Sequence, residues 1–264
     1  AQEEPALSIR VTSAQTEPIE SLREEVRDLG VETVPSASHP RMLLAPADAT
    51  GPIIGCAAFK EGRITIQGEH AVRAAESAGN VEGLDVLDLC AAPGGKAAVL
   101  AERKPARLIA TDISAHRMAR MASSFERLRV TPPALAAMSG TSGLAPRAVF
   151  DLVFLDAPCS NTGVLAQRPA ARWRYSPKTQ AELTELQAQL IREAAPRVKI
   201  GGALVYSTCS LESEENDRIV KTFLKEAGKN AWEIEQERSS RPGSFESGGP
   251  VDGGYAVRLR RKAA

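Results

Sequence analysis

The chain has 264 residues, with 33 Lys or Arg against 33 Asp or Glu, so its formal net charge is zero. Hydrophobic residues make up 43% and charged residues 25%, a balance that can bury a substantial core and excludes a disordered chain. Cys56, Cys90, Cys159 and Cys209 form no Cys-x-x-Cys pair and His39, His70 and His116 are scattered, which excludes a disulfide framework and a structural zinc site.

In chain order, Leu7-Ser8-Ile9-Arg10-Val11 alternates as a strand does. Ile19, Leu22, Val26 and Leu29 recur at helical spacing over residues 17–29, with Pro18 suited to the first turn and Gly30 to the C-terminal stop. Val31-Glu32-Thr33-Val34 reads as another short strand. Such a strand–helix–strand unit is too small to be stable alone and is expected to pack on the rest. Residues 1–80 hold 7 basic and 12 acidic residues, a net of −5, which leaves +5 for the remainder. A boundary between residues 62 and 67 gives a small α+β N-terminal subdomain, 1–66, and a larger domain, 67–264.

From residue 81 strands and helices alternate. Strands are predicted over residues 84–89, 107–112, 134–138, 150–156 and 202–207, and helices over 96–103, 115–127, 178–195 and 214–227. The last helix opens on Glu214 and Glu215, acids that a helix dipole favours. Residues 232–236 and 255–260 close the chain as two strands with no helix between them. This pattern is an α/β fold, a mostly parallel, doubly wound seven-stranded sheet with an antiparallel edge hairpin. Residues 238–254, rich in Ser, Gly and Pro, read as a mobile loop. No apolar run approaches the roughly 20 residues that span a bilayer. The acidic start, Ala1-Gln2-Glu3-Glu4-Pro5, is no signal peptide. It also lacks an initiator Met, as a processed chain or one that begins partway through a longer protein would. The cysteine usage fits a reducing cytoplasm.

Ligands of such sheets bind at the C-terminal strand ends. The first strand of the larger domain ends Asp88-Leu89-Cys90-Ala91-Ala92-Pro93-Gly94-Gly95-Lys96, whose glycines allow a tight turn and close approach to a ligand. The next ends at Asp112, an acid able to accept both hydroxyls of a ribose. A glycine turn plus a ribose acid fits an adenosine-type cofactor; the alternative is a plain strand–helix turn with an N-capping Asp. The fourth strand runs into Asp156-Ala157-Pro158-Cys159-Ser160 and the fifth into Ser207-Thr208-Cys209-Ser210. As sheet neighbours they bring two cysteines and an aspartate to one crevice, as a covalent nucleophile with its helper, a redox pair, or buried small residues. Cys56 reads as packing, and Cys90 as a backbone contributor to the turn.

These three motifs, with the Glu-Glu-Asn stretch at residues 214–216 and Thr162-Gly163-Val164, Arg168-Pro169, Arg172-Trp173 and Ser176-Pro177, resemble those of the Sun-type (Nop/Sun, Fmu-like) RNA cytosine-5 methyltransferases. The likeness runs from about Leu7 to Arg261. It implies a Rossmann-like methyltransferase fold, S-adenosylmethionine as cofactor, and RNA as partner, with ribosomal RNA ahead of transfer RNA and the choice between them left open by the sequence; a monomer is expected. It further implies that Cys209 adds to carbon 6 of cytosine, that Asp156 holds the ring nitrogen 3 and amino side, and that Cys159 assists loss of the carbon-5 proton. The donor would lie over Cys90, Ala91, Ala92, Pro93, Gly94 and Gly95, with Lys96 near its carboxylate and Asp112 on its ribose. Ser139 stands where the family has an acid near the adenine amine, Asn161 replaces a small residue, and Asp252-Gly253-Gly254-Tyr255 replaces an aromatic pair.

Arg168, Arg172, Arg174 and Lys178 surround Trp173 and Tyr175 with no acid between Gly163 and Lys178, a mix of charge and planar rings that suits phosphates and unstacked bases. The bland alternative is a solvated loop with one packed Trp. Arg258, Arg260, Arg261 and Lys262 read as a charged edge strand. The acidic N-terminal subdomain and Ser139 favour a rival from another class, a non-catalytic RNA-binding or ribosome-assembly factor, whereas the cysteine pair favours the enzyme. A DNA cytosine methyltransferase would rely on the Pro-Cys cysteine, and the second cysteine argues for RNA.

Overall fold

A computed structural model describes residues 6–145, 149–228, 230–243 and 251–262. The N-terminal part contains β1 (Leu7–Val11), α1 (Ile19–Arg27), β2 (Val34–Pro35), β3 (Met42–Ala45), α2 (Thr50–Gly55), α3 (Ala57–Lys60) and β4 (Ile64–Ile66). Next come α4 (Glu69–Glu76), β5 (Asp85–Leu89), α5 (Gly95–Ala101), β6 (Arg107–Asp112), α6 (Ala115–Leu128), β7 (Ala134–Ala137) and β8 (Phe150–Asp156). The chain finishes with α7 (Ala170–Arg174), α8 (Pro177–Ala194), β9 (Val198–Thr208), α9 (Asp217–Ala227), β10 (Trp232–Ser240) and β11 (Gly254–Arg261).

The large sheet has seven strands in the order β10-β11-β9-β8-β5-β6-β7, parallel from β9 to β7, with β11 antiparallel to both β9 and β10. This is the expected Rossmann-like sheet with its edge hairpin. Because successive side chains alternate across a strand, the buried runs feed two cores. Val86, Ala110, Phe154 and Val205 pack against Ala97, Leu100, Met118, Met121 and Phe125 of α5 and α6. Leu87, Leu89, Val153, Leu155 and Tyr206 face Leu190, Ile191, Ile219 and Phe223 of α8 and α9 on the other side. The chain reverses its winding direction between β5 and β8, so the carboxyl ends of these strands open the crevice in which such folds bind ligands.

The N-terminal part corrects the strand–helix–strand reading. It holds a four-stranded antiparallel sheet, order β2-β3-β1-β4, around a core that includes Ile9, Leu22, Val26, Leu43, Ile53 and Ile64. Of the strand expected at residues 31–34, only Val34 pairs, together with Pro35, whose missing N–H is tolerated on an edge. The unit packs firmly on the rest. Buried Arg10 donates to Gln67 Oε1 at 2.7 Å and to both carboxylate oxygens of Glu102 at 2.7 and 2.8 Å. Arg127 of α6 stacks 3.9 Å from the Phe59 ring centroid and donates to the carbonyls of Phe59 and Ile64. Gly62 sits in a left-handed conformation where a Cβ would meet the Arg127 carbonyl oxygen at 2.1 Å, so close docking requires glycine there.

Two further expectations change. The expected loop at residues 238–254 begins as strand, since Arg238 to Ser240 finish β10, and Gly254 begins β11; residues 244–250 lie outside the described residues. The helix expected from Glu214 starts at Asp217, after a single 3-10 turn over Ser213–Glu215. The reason is Glu215, which is fully buried and serves the site described below instead of a helix terminus. Among the described residues no helix is long and apolar enough to cross a membrane.

Candidate active site

Strands β8 and β9 pair in parallel with Asp156 opposite Ser207, so the residues just beyond their ends arrive together. The Sγ atoms of Cys159 and Cys209 lie 3.2 Å apart. Beside them, Asp156 Oδ1 accepts from Ser207 Oγ at 2.9 Å and Oδ2 accepts from Lys96 Nζ, in the first turn of α5, at 2.7 Å. The two thiols are not equivalent. The hydrogen bond from Cys159 holds Cys209 below the usual thiol range; burial opposes this, and the Lys96 ammonium and Arg168 assist it. Cys159 is held well above that range, first by the same hydrogen bond and then by burial. Of the two, Cys209 is therefore the sulfur more readily ionised, and Cys159 the one that holds its proton longer. Lys96 is raised despite burial, chiefly by Asp156, so it stays charged.

A buried carboxylate links the segments behind the two sulfurs. Glu215 Oε2 accepts from the Ser160 backbone N–H at 2.8 Å and from Gln187 Nε2 at 3.0 Å, and Oε1 accepts from Ser210 Oγ at 2.9 Å. Gln187, on α8, also donates to the Pro158 carbonyl at 2.8 Å. Ser160 and Ser210 directly follow the two cysteines, so one side chain from another segment fixes both turns. Asn216 adds to this clamp, accepting from Thr208 Oγ1 at 2.5 Å and donating to the Ser210 carbonyl at 2.9 Å. Asn161 sits in a left-handed conformation, φ 62°, which Asn adopts more readily than most residues. Its Nδ2 donates to the Cys159 carbonyl at 2.8 Å, while its Oδ1 lies 3.1 Å from Cys209 Sγ and accepts from Arg168 at 3.2 Å.

The turn after β5 lies at the adjoining strand end. Cys90 and Gly94 both have positive φ, 61° and 101°, and a Cβ on Gly94 would come within 3.0 Å of the Met121 side chain. Burial, then Asp156, pushes the Cys90 thiol up to about 12, leaving it inert beside the reactive pair. Asp112 ends β6 and accepts from the N–H of Ala92 at 3.2 Å, the N–H of Ser114 at 2.8 Å and Arg117 at 2.7 Å. It thereby fixes the Ala91-Ala92-Pro93 turn, and Ser114 is the residue that caps α6. Ser139 lies two residues past β7, at the same end of the sheet as Asp112. Asp88 is fully buried with neither carboxylate oxygen hydrogen-bonded, and burial, then Asp156, raises it well above the usual carboxylate range.

Of the basic segment, Arg168 comes nearest the sulfurs, through Asn161. Trp173, on α7, is 87% exposed, so its ring is not used for packing, and Tyr175 is 40% exposed. Arg172 and Arg174 flank Trp173 on that helix, Arg168 reaches Asn161, and exposed Lys178 stands in the first turn of α8, 3.9 Å from Glu182. The other basic cluster is engaged along the edge hairpin: Arg258 and Arg260 pair with Glu235, and Lys262 with Glu233. Cys56 is buried and its sulfur accepts from the Phe59 N–H at 3.4 Å, consistent with packing. Among the described residues no cluster of His, Cys, Asp and Glu could hold a metal ion.

Comparison with known proteins places this geometry. A sequence profile described as 16S rRNA methyltransferase RsmB/F matches residues 78–248. The chain is 34% identical over 245 residues to the ribosomal RNA small subunit methyltransferase B of Salmonella paratyphi B, covering 90% of this chain and 56% of that protein. It thus spans about half the length of the curated relatives it matches. Among solved structures, PH0851 superposes with a TM-score of 0.86 at 28% identity, over 99% of this chain and 60% of the other. NSun6 from Pyrococcus horikoshii, solved with SFG, is alike in fold, with a TM-score of 0.82 at 20% identity over 99% and 92% of the two chains.

Proposed function

The chain belongs to the 16S rRNA methyltransferase RsmB/F family, and from that premise we propose that it methylates carbon 5 of a cytosine in ribosomal RNA, using S-adenosylmethionine. The observation that carries the reading is the 3.2 Å contact between Cys159 and Cys209 beside the Lys96–Asp156 pair. Two thiols with their acidities pushed in opposite directions supply one nucleophile and one proton-handling group.

The crevice fits the donor. Asp88 offers a buried carboxyl with no partner of its own, suited to an ammonium group, and the Cys90–Gly95 turn brings backbone close without side-chain obstruction. Asp112 and Ser139 stand at the strand ends where ribose and adenine would be held. When bound, S-adenosylmethionine supplies an electrophilic methyl group. The protein's own groups prepare the base. The thiolate of Cys209 adds to carbon 6, which makes carbon 5 electron-rich. Asp156, oriented by Ser207 and Lys96, holds the ring nitrogen 3 and amino edge. Cys159, once its own proton has passed to solvent, takes the carbon-5 proton; the electrons of that bond form the carbon 5–carbon 6 double bond, the carbon 6–sulfur bond breaks, and Cys209 leaves as thiolate. The base must leave any helical stack to reach these groups. Arg168, Arg172, Trp173, Arg174 and Lys178 form the RNA path into the crevice, and residues 1–66 form a small RNA-binding subdomain beside the larger domain, 67–264. The protein acts as a cytoplasmic monomer.

The test is a pair of substitutions. Cys209→Ala abolishes methyl transfer from radiolabelled donor to ribosomal RNA, and Cys159→Ala accumulates an RNA adduct that survives a denaturing gel. Full transfer by the Cys209 variant would overturn the assignment, and no retained RNA with the Cys159 variant would overturn the division of roles.

A further inference from the structure

One buried histidine outside the cysteine motifs touches the turn that carries Cys209. His70, in the first turn of α4, is 4% exposed. Its Nε2 lies 2.8 Å from the Thr208 carbonyl oxygen and its Nδ1 2.9 Å from Ser240 Oγ. A carbonyl oxygen only accepts, so Nε2 carries the proton and Nδ1 accepts from the serine hydroxyl. The ring's own backbone is anchored, since the His70 N–H donates to both oxygens of buried Asp252 at 3.1 Å. A single neutral imidazole thus joins α4, the end of β9 and the end of β10.

Space for the ring exists because residue 254 has no side chain. A Cβ on Gly254 would fall 2.3 Å from His70 Nε2 and 2.3 Å from the Thr208 carbonyl oxygen. Similarly, a Cβ on Gly68 would strike Asp252 Oδ2 at 2.1 Å. Residues 68, 70, 252 and 254 therefore form one interlocked set, with glycines where the partner side chains need room. The Thr208 carbonyl lies at the end of the β9–β11 pairing, opposite Tyr255, and the histidine gives it a buried side-chain donor.

We propose that His70 is a positioning residue, fixing the Thr208–Cys209 peptide so that the Cys209 sulfur stays against Cys159. Two successive peptides are held: His70 binds the carbonyl of the Thr208–Cys209 peptide, and the Gly163 N–H binds the carbonyl of the next one, that of Cys209, at 2.9 Å. Thr208 is also paired with Tyr255 of β11 and bonded through its hydroxyl to Asn216, so loss of the first bond loosens the peptide, not the strand, and lets the two sulfurs draw apart. The sulfur contact is the largest influence favouring ionised Cys209, so its loss slows reactions of that thiolate. The charged groups facing this corner are Lys96 from α5, Asp156 from β8, Arg168 from the post-cysteine loop and Asp252 before β11; a neutral replacement at 70 alters none of them. The imidazole stays neutral itself, lowered to about 4 by burial and then by Lys96.

This inference rests on Cys209 as the nucleophile, but its test reads the thiol directly, without RNA or methyl donor. His70→Gln retains an N–H near the Nε2 position, and His70→Met fills similar space without a donor. Iodoacetamide labelling of Cys209, followed by mass spectrometry across pH, is expected to be about tenfold slower at neutral pH in His70→Met, with its profile moved to higher pH, and near wild type in His70→Gln. Thermal melts verify that both variants fold. Equal labelling in the wild type and His70→Met overturns the proposal, as does slow labelling in a folded His70→Gln. Should His70→Met fail to fold, the Gln variant alone decides: near-wild-type labelling supports the brace, and tenfold slower labelling refutes it. Loss of methyl transfer in the wild type would instead count against the enzymatic reading and leave the labelling result standing.

Discussion

Glu215→Ala removes a buried side chain that touches the segments behind both sulfurs. It leaves the Ser160 N–H, at 2.8 Å, without its acceptor, leaves Gln187 Nε2 with the Pro158 carbonyl alone, and leaves Ser210 Oγ with the hydroxyls of Ser160 and Thr162. A buried polar group stripped of its partner costs about 1–3 kcal/mol, so one stripped donor and two weakened ones together cost roughly 3–6 kcal/mol. Releasing a carboxylate from a fully buried site offsets part of this, and the expected net loss is about 3–5 kcal/mol. For a chain of this size that lowers the melting midpoint by roughly 6–20 °C, read by circular dichroism or calorimetry. Glu215→Gln preserves the volume and one acceptor oxygen, and is expected to lose about 1–2 kcal/mol. Single-turnover methyl transfer is the second readout. Displacement of either turn by about 1 Å is expected to slow the Gln variant by up to about 100-fold while donor affinity is unchanged. A Gln variant that melts within about 0.5 kcal/mol of wild type and transfers at the wild-type rate would show that the sulfurs are held by something else.

Acid should find the His70 corner early. His70 binds its proton at about 4 in the fold against 6.5 when free, so between those values the unfolded chain holds more protons and stability falls as pH falls. The loss approaches about 3 kcal/mol at the low end; urea titrations from pH 7 to 4 should give a flatter slope for His70→Gln, and identical slopes would refute the assignment. Trp173→Ala is expected to weaken RNA binding by about 1–3 kcal/mol, measured by fluorescence anisotropy. Its ring is 87% exposed, so stability should change by less than about 0.5 kcal/mol; unchanged RNA affinity would remove Trp173 from the RNA path.

The parallel strands were readable because strands buried on both faces are continuous apolar runs, and residues 150–156 coincide with β8 for that reason. The small sheet was harder to read. β3 is four apolar residues without alternation and β4 only three, too short for a period to emerge. The convergence of Cys159 and Cys209 followed from strand adjacency, which topology rules supply. Their supporting residues did not. Glu215 looked like a helix-opening acid, since only the three-dimensional arrangement reveals that Ser160, Gln187 and Ser210 need an acceptor. Asn161 stood out merely as a departure from a familiar motif, whereas it contacts Cys209, Cys159 and Arg168 at once. His70 meets Thr208 across 138 positions of chain and carried no local mark at all.

Helix α5 has a consequence for how distant parts of this molecule communicate. It is seven residues long, about 10 Å, and each end is tied to a different neighbour. Lys96 in its first turn grips Asp156 beside the sulfurs, and Glu102 at its C-terminal cap grips Arg10 of the small sheet. A short helix clamped at both ends behaves as a strut and not as a hinge. A tilt of the small sheet against the large one would reach, through this one helix, the ammonium that favours the Cys209 thiolate.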